Sequence, residues 1–135
     1  RAVLISDLIT IHQKTGIGRL SAFCGATSAG IGAACGIAWL DGGDYEVIAH
    51  TIVNGLAILS GMVCDGAKPS CAAKIATAVR NGLLGYQMYR QGCQFYGGDG
   101  IVTKGVENTI ANVGRLANRG MRSTDCEILN IMIGN

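Results

Sequence analysis

Nineteen consecutive residues, Ala22 to Leu40, carry no charge. A run of that length reaches the roughly 20 residues of a bilayer-crossing helix, but Gly, Ala, Ser and Thr dominate it and large aliphatics are few, so transfer into lipid gains little. The same content suits a helix buried in protein, because small side chains let neighbouring backbones approach closely. Within it, "GAACG" (Gly32 to Gly36) has the small-xxx-small spacing for which a helix contact is sufficient explanation. The run therefore predicts a closely packed buried helix and no membrane span.

Apolar spacing elsewhere predicts further helices. Residues 2–14 place Val3, Leu4, Leu8 and Ile11 near the i, i+4, i+7 stripe of a surface helix, which "TGIGR" (Thr15 to Arg19) then breaks. Tyr45 to Met62 is apolar nearly all round, as in a helix surrounded by others, and Asp44 is placed to cap it. Ala72 to Tyr89 continues the pattern, with Gly82 and Gly85 expected to slacken it. After the breaker "YGGDG" (Tyr96 to Gly100), Thr103 to Met121 carries Val106, Ile110, Val113 and Leu116 on one stripe. "STDCEIL" then offers Thr124 and Glu127 as a capping box for a short last helix. No segment shows the strict alternation of a half-buried strand and no internal repeat is visible. The expectation is an all-α, Gly/Ala-rich helical domain.

The 135 residues suffice for one domain with a real core. Charged residues are only 15% of the chain, against roughly 25% in ordinary soluble domains. Such a charge-poor surface predicts that part of it is normally covered. The net charge of +2, with no run of Lys or Arg, excludes the electrostatic footprint of a nucleic-acid binder. No signal-peptide pattern opens the chain. It begins at Arg1 inside an apolar pattern, which reads as a fragment of a larger chain.

Six cysteines (Cys24, Cys35, Cys64, Cys71, Cys93, Cys126) in a chain neither short nor loop-rich read as reduced thiols of a cytoplasmic protein. Cys64 and Cys71 have six residues between them in "CDGAKPSC", a spacing that permits one shared centre without demanding it. If Ser70 caps the helix after Pro69, Cys71 falls in the first turn, where the helix dipole and free N–H groups favour the thiolate, the form that binds metal. Cys24 also stands near a helix start. Buried apolar thiols remain the alternative for all three, and Cys35, Cys93 and Cys126 read as core or surface thiols. His12 and His50 lie in no motif and read as ordinary core or surface groups. Lys68 and Lys74 read as solvated cations, and Asp65 and Asp99 as turn residues beside glycine.

The run "GMVCDGAKPSCAAKIATAV" (Gly61 to Val79), with "FCGATSAGIGAACGIAWLDGG" before it and "YGGDGIVTKGVENTIANVGRLANRGMRSTDCEIL" after it, resembles the C-terminal part of L-cysteine desulfidase-like proteins. These are related to the α chain of iron–sulfur L-serine dehydratase. The resemblance spans nearly the whole chain. It implies an all-helical domain that binds a [4Fe–4S] cluster through Cys24, Cys64 and Cys71, with Asp65 and Lys68 lining the site. The "CDG" run and the six-residue gap look like the desulfidase branch, whereas serine dehydratases proper carry "CDP" and a longer gap.

The implied chemistry is β-elimination from a small amino-acid substrate, serine or cysteine, giving pyruvate and ammonia without pyridoxal phosphate (PLP). That family's N-terminal portion, expected to supply the catalytic base and the substrate-carboxylate contacts, does not match anything in these residues. The expected partners are accordingly that portion or a separate subunit, and a homo-oligomer is allowed. The isolated chain is expected to be inactive. The competing expectation is a non-catalytic helical domain with buried thiols and no metal.

Overall fold

A computed structural model describes residues 1–134. Six helices follow one another: α1 (Ala2–Ile17), α2 (Gly25–Leu40), α3 (Tyr45–Ile58), α4 (Cys71–Arg90), α5 (Val106–Arg115) and α6 (Arg122–Ile133), with a π-helical turn at Leu116–Gly120 between the last two. No strand occurs among the described residues, and the only extended pairing is an isolated antiparallel bridge between Phe23 and Val63. The all-α expectation holds. Among the described residues no helix is long and apolar enough to cross a membrane.

The small-residue run forms α2, the helix around which the others are arranged. α2 packs most extensively against α1 on one side and α4 on another, and α3 covers both α2 and α4. Glycine decides how close those contacts are. A Cβ at Gly32 would stand 2.5 Å from the Ser6 carbonyl of α1, and one at Gly36 would stand 2.8 Å from that of Ala2. A Cβ at Gly82 of α4 would stand 2.5 Å from the Gly30 carbonyl and 2.9 Å from the Ala34 methyl. Gly82 and Gly85 are thus crossing points rather than slack in the helix, because the missing side chain is where the neighbouring backbone passes. Ile17, Phe23, Ile31, Leu56, Ile110 and Val113 fill the core between the helices.

Register follows from these contacts. Gly36 meets Ala2 while Gly32 meets Ser6 and Thr10, so α1 and α2 run antiparallel. Gly30 meets Ala78 and Ala34 meets Gly82, so α2 and α4 run parallel with their N-termini at the same end. Asn81 and Gly85 of α4 meet Gly55 and Asn54, respectively, so α3 runs back against α4.

The stripe on α1 faces away from the core, contrary to its apolar spacing. Val3, Leu4, Leu8 and Ile11 are 72%, 63%, 63% and 60% exposed, while Ser6 and Thr10 face the glycines of α2. Only short side chains fit against a glycine face, so the polar, smaller side of α1 turns inward. Ile5 and Ile9 reach the core from the edge, and Gln13 and Ile17 are buried in the later turns.

Boundaries differ locally. α1 runs through the expected break to Ile17 and ends at Gly18, whose φ of 92° only glycine adopts readily. α3 stops at Ile58, four residues early, and residues 62–64 leave the helical pattern for the bridge. The first turn of α3 is exposed, not surrounded. Asp44 caps α3 as expected, accepting from the Val47 N–H at 3.1 Å. Ser70 precedes α4 but makes no side-chain cap bond. α6 begins at Arg122, so Thr124 and Glu127 lie inside it and form no capping box.

Candidate functional site

Two loops, residues 18–24 and 59–70, lie at the end of the molecule where α2 and α4 begin. Cys24 is the residue preceding α2, with an extended backbone (φ −68°, ψ 123°), and its sulfur makes no capping bond. Cys71 is the first residue of α4. The parallel register that sets Gly30 beside Ala78 carries back along both helices and brings Cys24 level with the start of α4. The two thiols therefore sit at neighbouring helix N-termini.

The bridge brings in the third. The Cys24 N–H donates to the Met62 carbonyl at 2.7 Å and the Cys64 N–H to the Ala22 carbonyl at 2.6 Å. In that pairing Cys24 and Cys64 fall on one face as diagonal neighbours, ~7–8 Å apart. Phe23, 1% exposed, anchors the pairing from the opposite face.

The loop from Cys64 to Cys71 is held by its own polar groups. Gly66 turns the chain at φ +89°. The Asp65 carboxylate pairs with Lys68 and, at 2.7 Å, with the Lys74 ammonium, which also donates to the Val63 carbonyl at 2.7 Å. The Lys68 N–H donates to the Cys71 sulfur at 3.4 Å, and that thiol donates to the Gly66 carbonyl at 3.6 Å. The expected site-lining pair Asp65 and Lys68 is thus tied to itself within the loop. Lys74, expected to be a solvated cation, instead ties the start of the loop to α4.

Three thiols make a donor set of the kind that iron–sulfur clusters use. Among the described residues no three His, Cys, Asp or Glu side chains converge closely enough to hold one metal ion. Each thiolate of a cluster binds a different iron, so cluster ligands need not converge on one point. Neither α2 nor α4 has an acidic residue in its first turn, and Asp65 is offset by two lysines. Two unopposed helix N-termini favour an anionic group between them.

The remaining thiols lie elsewhere. Cys35 is in the core, where burial pushes its thiol up to about 12, and Cys93 and Cys126 are exposed on other elements. His12 pairs with Glu107 at 2.7 Å, and His50 stacks on Tyr89 with ring centroids 4.4 Å apart. Sequence reasoning missed Lys14, whose ammonium stands 3.9 Å from the Cβ position of Gly25, directly after Cys24. It also missed Met132, whose methyl lies 3.6 Å from the Cβ position of Gly66. Both contacts join distant segments, and no local pattern signals them.

Residues 1–130 match the family model described as serine dehydratase alpha chain. The chain is 67% identical over 133 residues to UPF0597 protein DSY1109 of Desulfitobacterium hafniense, covering 98% of this chain and 31% of that protein. UPF0597 proteins of Treponema denticola and Finegoldia magna are each 50% identical over 133 residues, with 31% and 32% of their lengths covered. The chain thus spans about a third of the length of these curated relatives. No solved structure matches it.

Proposed function

The chain belongs to the serine dehydratase alpha chain family, and from that premise we propose that it is the cluster-binding helical domain of a longer amino-acid lyase. The observation that carries this reading is the placement of Cys24, Cys64 and Cys71 at the one end of the molecule where two parallel helices begin. The domain spans residues 1–135. The reaction is β-elimination from L-serine or L-cysteine, releasing water or hydrogen sulfide and ending, after hydrolysis, in pyruvate and ammonia.

Cys24, Cys64 and Cys71 are the proposed ligands. When bound, a [4Fe–4S] cluster with three thiolate ligands supplies a Lewis-acid iron that keeps one coordination position open, suited to a hydroxyl or thiol leaving group. The chain's own groups prepare that place. The first-turn N–H groups of α2 and α4 offset negative charge, and Asp65 with Lys68 and Lys74 fixes the loop that carries two of the ligands. The catalytic base belongs to the two thirds of a relative-length chain outside these residues. That portion also accounts for the exposed apolar stripe of α1, which it would cover.

Anaerobic reconstitution with iron and sulfide tests the reading. A brown, iron-loaded protein is expected, with colour and iron lost in Cys24→Ala, Cys64→Ala and Cys71→Ala and kept in Cys93→Ala and Cys126→Ala. Equal iron loading in all five variants, or none in the unaltered chain, would overturn it.

A further inference from the structure

α1 carries two seams, and the fold uses one of them. Ser6, Thr10, Gln13 and Ile17 face inward, the first two against the glycines of α2. Leu4, Leu8, Ile11 and Thr15 repeat the same spacing of four, three and four residues on the opposite face, where all four are exposed. A 3.5-residue repeat is that of a seam between helices, whose side chains fill holes on a partner helix. Beyond Ile11 the face changes character. Ile11, Lys14, Thr15, Gly18 and Arg19 line a hollow of about 350 Å³, and Arg115, Asn118 and Arg119 line another of about 380 Å³. The two hollows adjoin, since the Asn118 amide nitrogen stands 3.1 Å from the Cβ position of Gly18.

No acid balances this end of the face. The sequence has no Asp or Glu between Asp7 and Asp41, or between Glu107 and Asp125. Lys14, Arg19, Arg115 and Arg119 make no ion pair among the described residues. A single cation near a helix C-terminus is ordinary dipole chemistry, but Arg115 and Arg119 stand four residues apart, where like charges repel each other. The Ser21 hydroxyl donates to the Ala117 carbonyl at 2.8 Å and the Asn118 amide to that of Ile17 at 3.3 Å, which fixes the π-helical turn against the end of α1 and the residues after it. The cations are thus presented on a fixed frame, suited to carboxylates that pair with guanidinium groups.

An apolar seam that runs into a cationic cleft fits an amphipathic helix with an acidic end. Size points to its source. A stable interface between separate chains buries about 800 Å² on each side, more than three aliphatic side chains offer, whereas a segment tethered in the same chain docks at high effective concentration. Relatives such as the Desulfitobacterium hafniense protein, of which this chain covers 31%, have two thirds of their length to supply one. We propose that the outer face of α1 and the cationic hollows beyond it seat an amphipathic helix with an acidic end, from the part of the longer protein outside residues 1–135. The proposal rests on the reading of these residues as part of a longer lyase, but not on the cluster.

Leu8→Cys tests this through its rate of alkylation by iodoacetamide, read by peptide mass mapping in the full-length protein and in residues 1–135. In residues 1–135 the new thiol should react as fast as in the unfolded chain, and in the full-length protein at least about tenfold more slowly. Arg115→Glu with Arg119→Glu in the full-length protein should recover roughly half or more of the lost rate by repelling the acidic end. Leu8, Arg115 and Arg119 are all exposed, so none of these changes disturbs the core. Cys64→Ala should leave the labelling unchanged, which separates this docking from cluster binding. Equal rates in the two proteins, or full protection in the arginine variant, would overturn the proposal. So would protection in residues 1–135 that grows with protein concentration, since the occupant would then be a second copy.

Discussion

Gly82→Ala separates two opposite expectations for the same residue. By helix propensity alone the change stabilises, since Gly in a helix interior costs about 1 kcal/mol relative to Ala. By packing it destabilises. The new methyl would stand 2.5 Å from the Gly30 carbonyl oxygen, 3.0 Å from its carbon and 2.9 Å from the Ala34 methyl. Two of these three obstacles are backbone, which no rotamer change removes, so α2 and α4 must move apart along their shared crossing. Overpacking of that kind costs about 3 kcal/mol, the upper end of its usual range. The net loss is then ~2 kcal/mol once the propensity gain is subtracted. An unfolding entropy of ~2.1 cal/mol/K per residue amounts to ~0.28 kcal/mol/K for this chain, so Tm should fall by ~7 °C. Gly25→Ala is the control, because its new methyl meets nothing nearer than the Lys14 ammonium at 3.9 Å. Thermal unfolding followed by circular dichroism reads both variants. A Tm for Gly82→Ala equal to or above that of the unaltered chain would refute the account of α2–α4 packing.

Asn54→Ala removes three hydrogen bonds that tie α3 to α4 and to the 93–95 loop; at about 1 kcal/mol each the loss is ~3 kcal/mol, or ~10 °C in Tm, and a drop under about 3 °C in the same melt would contradict it. Cys35 is held protonated by burial, with its thiol raised from 9.0 to about 12. Above pH 9 the unfolded thiol ionises while the folded one does not, so stability should decline as pH rises from 9 toward 12. Cys35→Ala should flatten that decline in denaturant titrations, and an equal slope in the variant would count against it. At pH 8, iodoacetamide should label the exposed Cys93 and Cys126 in the folded chain and reach Cys35 only after unfolding, as peptide mass mapping can check.

The helices were legible in the sequence where their pattern matched the environment that they entered. α5 places Ile110 and Val113 in the core as its stripe required, and Asp44 caps α3 as its position required. Two readings failed for one physical reason. Apolar spacing on α1 indicated burial, and Gly82 and Gly85 indicated slackness, yet both are decided by what the opposite helix offers. A glycine face accepts only small groups, so α1 turned Ser6 and Thr10 inward and left Leu4 and Leu8 in solvent. The end of α3 was misjudged because the Phe23–Val63 bridge overrode local propensity, and the start of α6 because the π-helical turn at Leu116–Gly120 leads directly into it. At the thiol end, the sequence placed Cys71 at a helix start but could not place Cys24 beside it, since that depends on how two distant helices are registered.

That registration links the glycines to the proposed chemistry. Cys24 and Cys71 are separated in sequence by two whole helices, α2 and α3, and two loops. They come level because Gly30, Ala34, Ala78 and Gly82 let α2 and α4 run parallel in close contact with a fixed offset. A slide of one helical turn would move one N-terminus ~5.4 Å relative to the other. That is comparable to the ~7–8 Å separation of the bridged thiols, so it would break the arrangement without altering a ligand. Close packing through small residues opposes such a slide, because the larger side chains flanking each glycine would have to pass the neighbouring backbone at the crossing. The composition that first suggested a membrane-length apolar run is thus what holds two helix N-termini side by side. On this reading the small residues of α2 serve the site as directly as the thiols do.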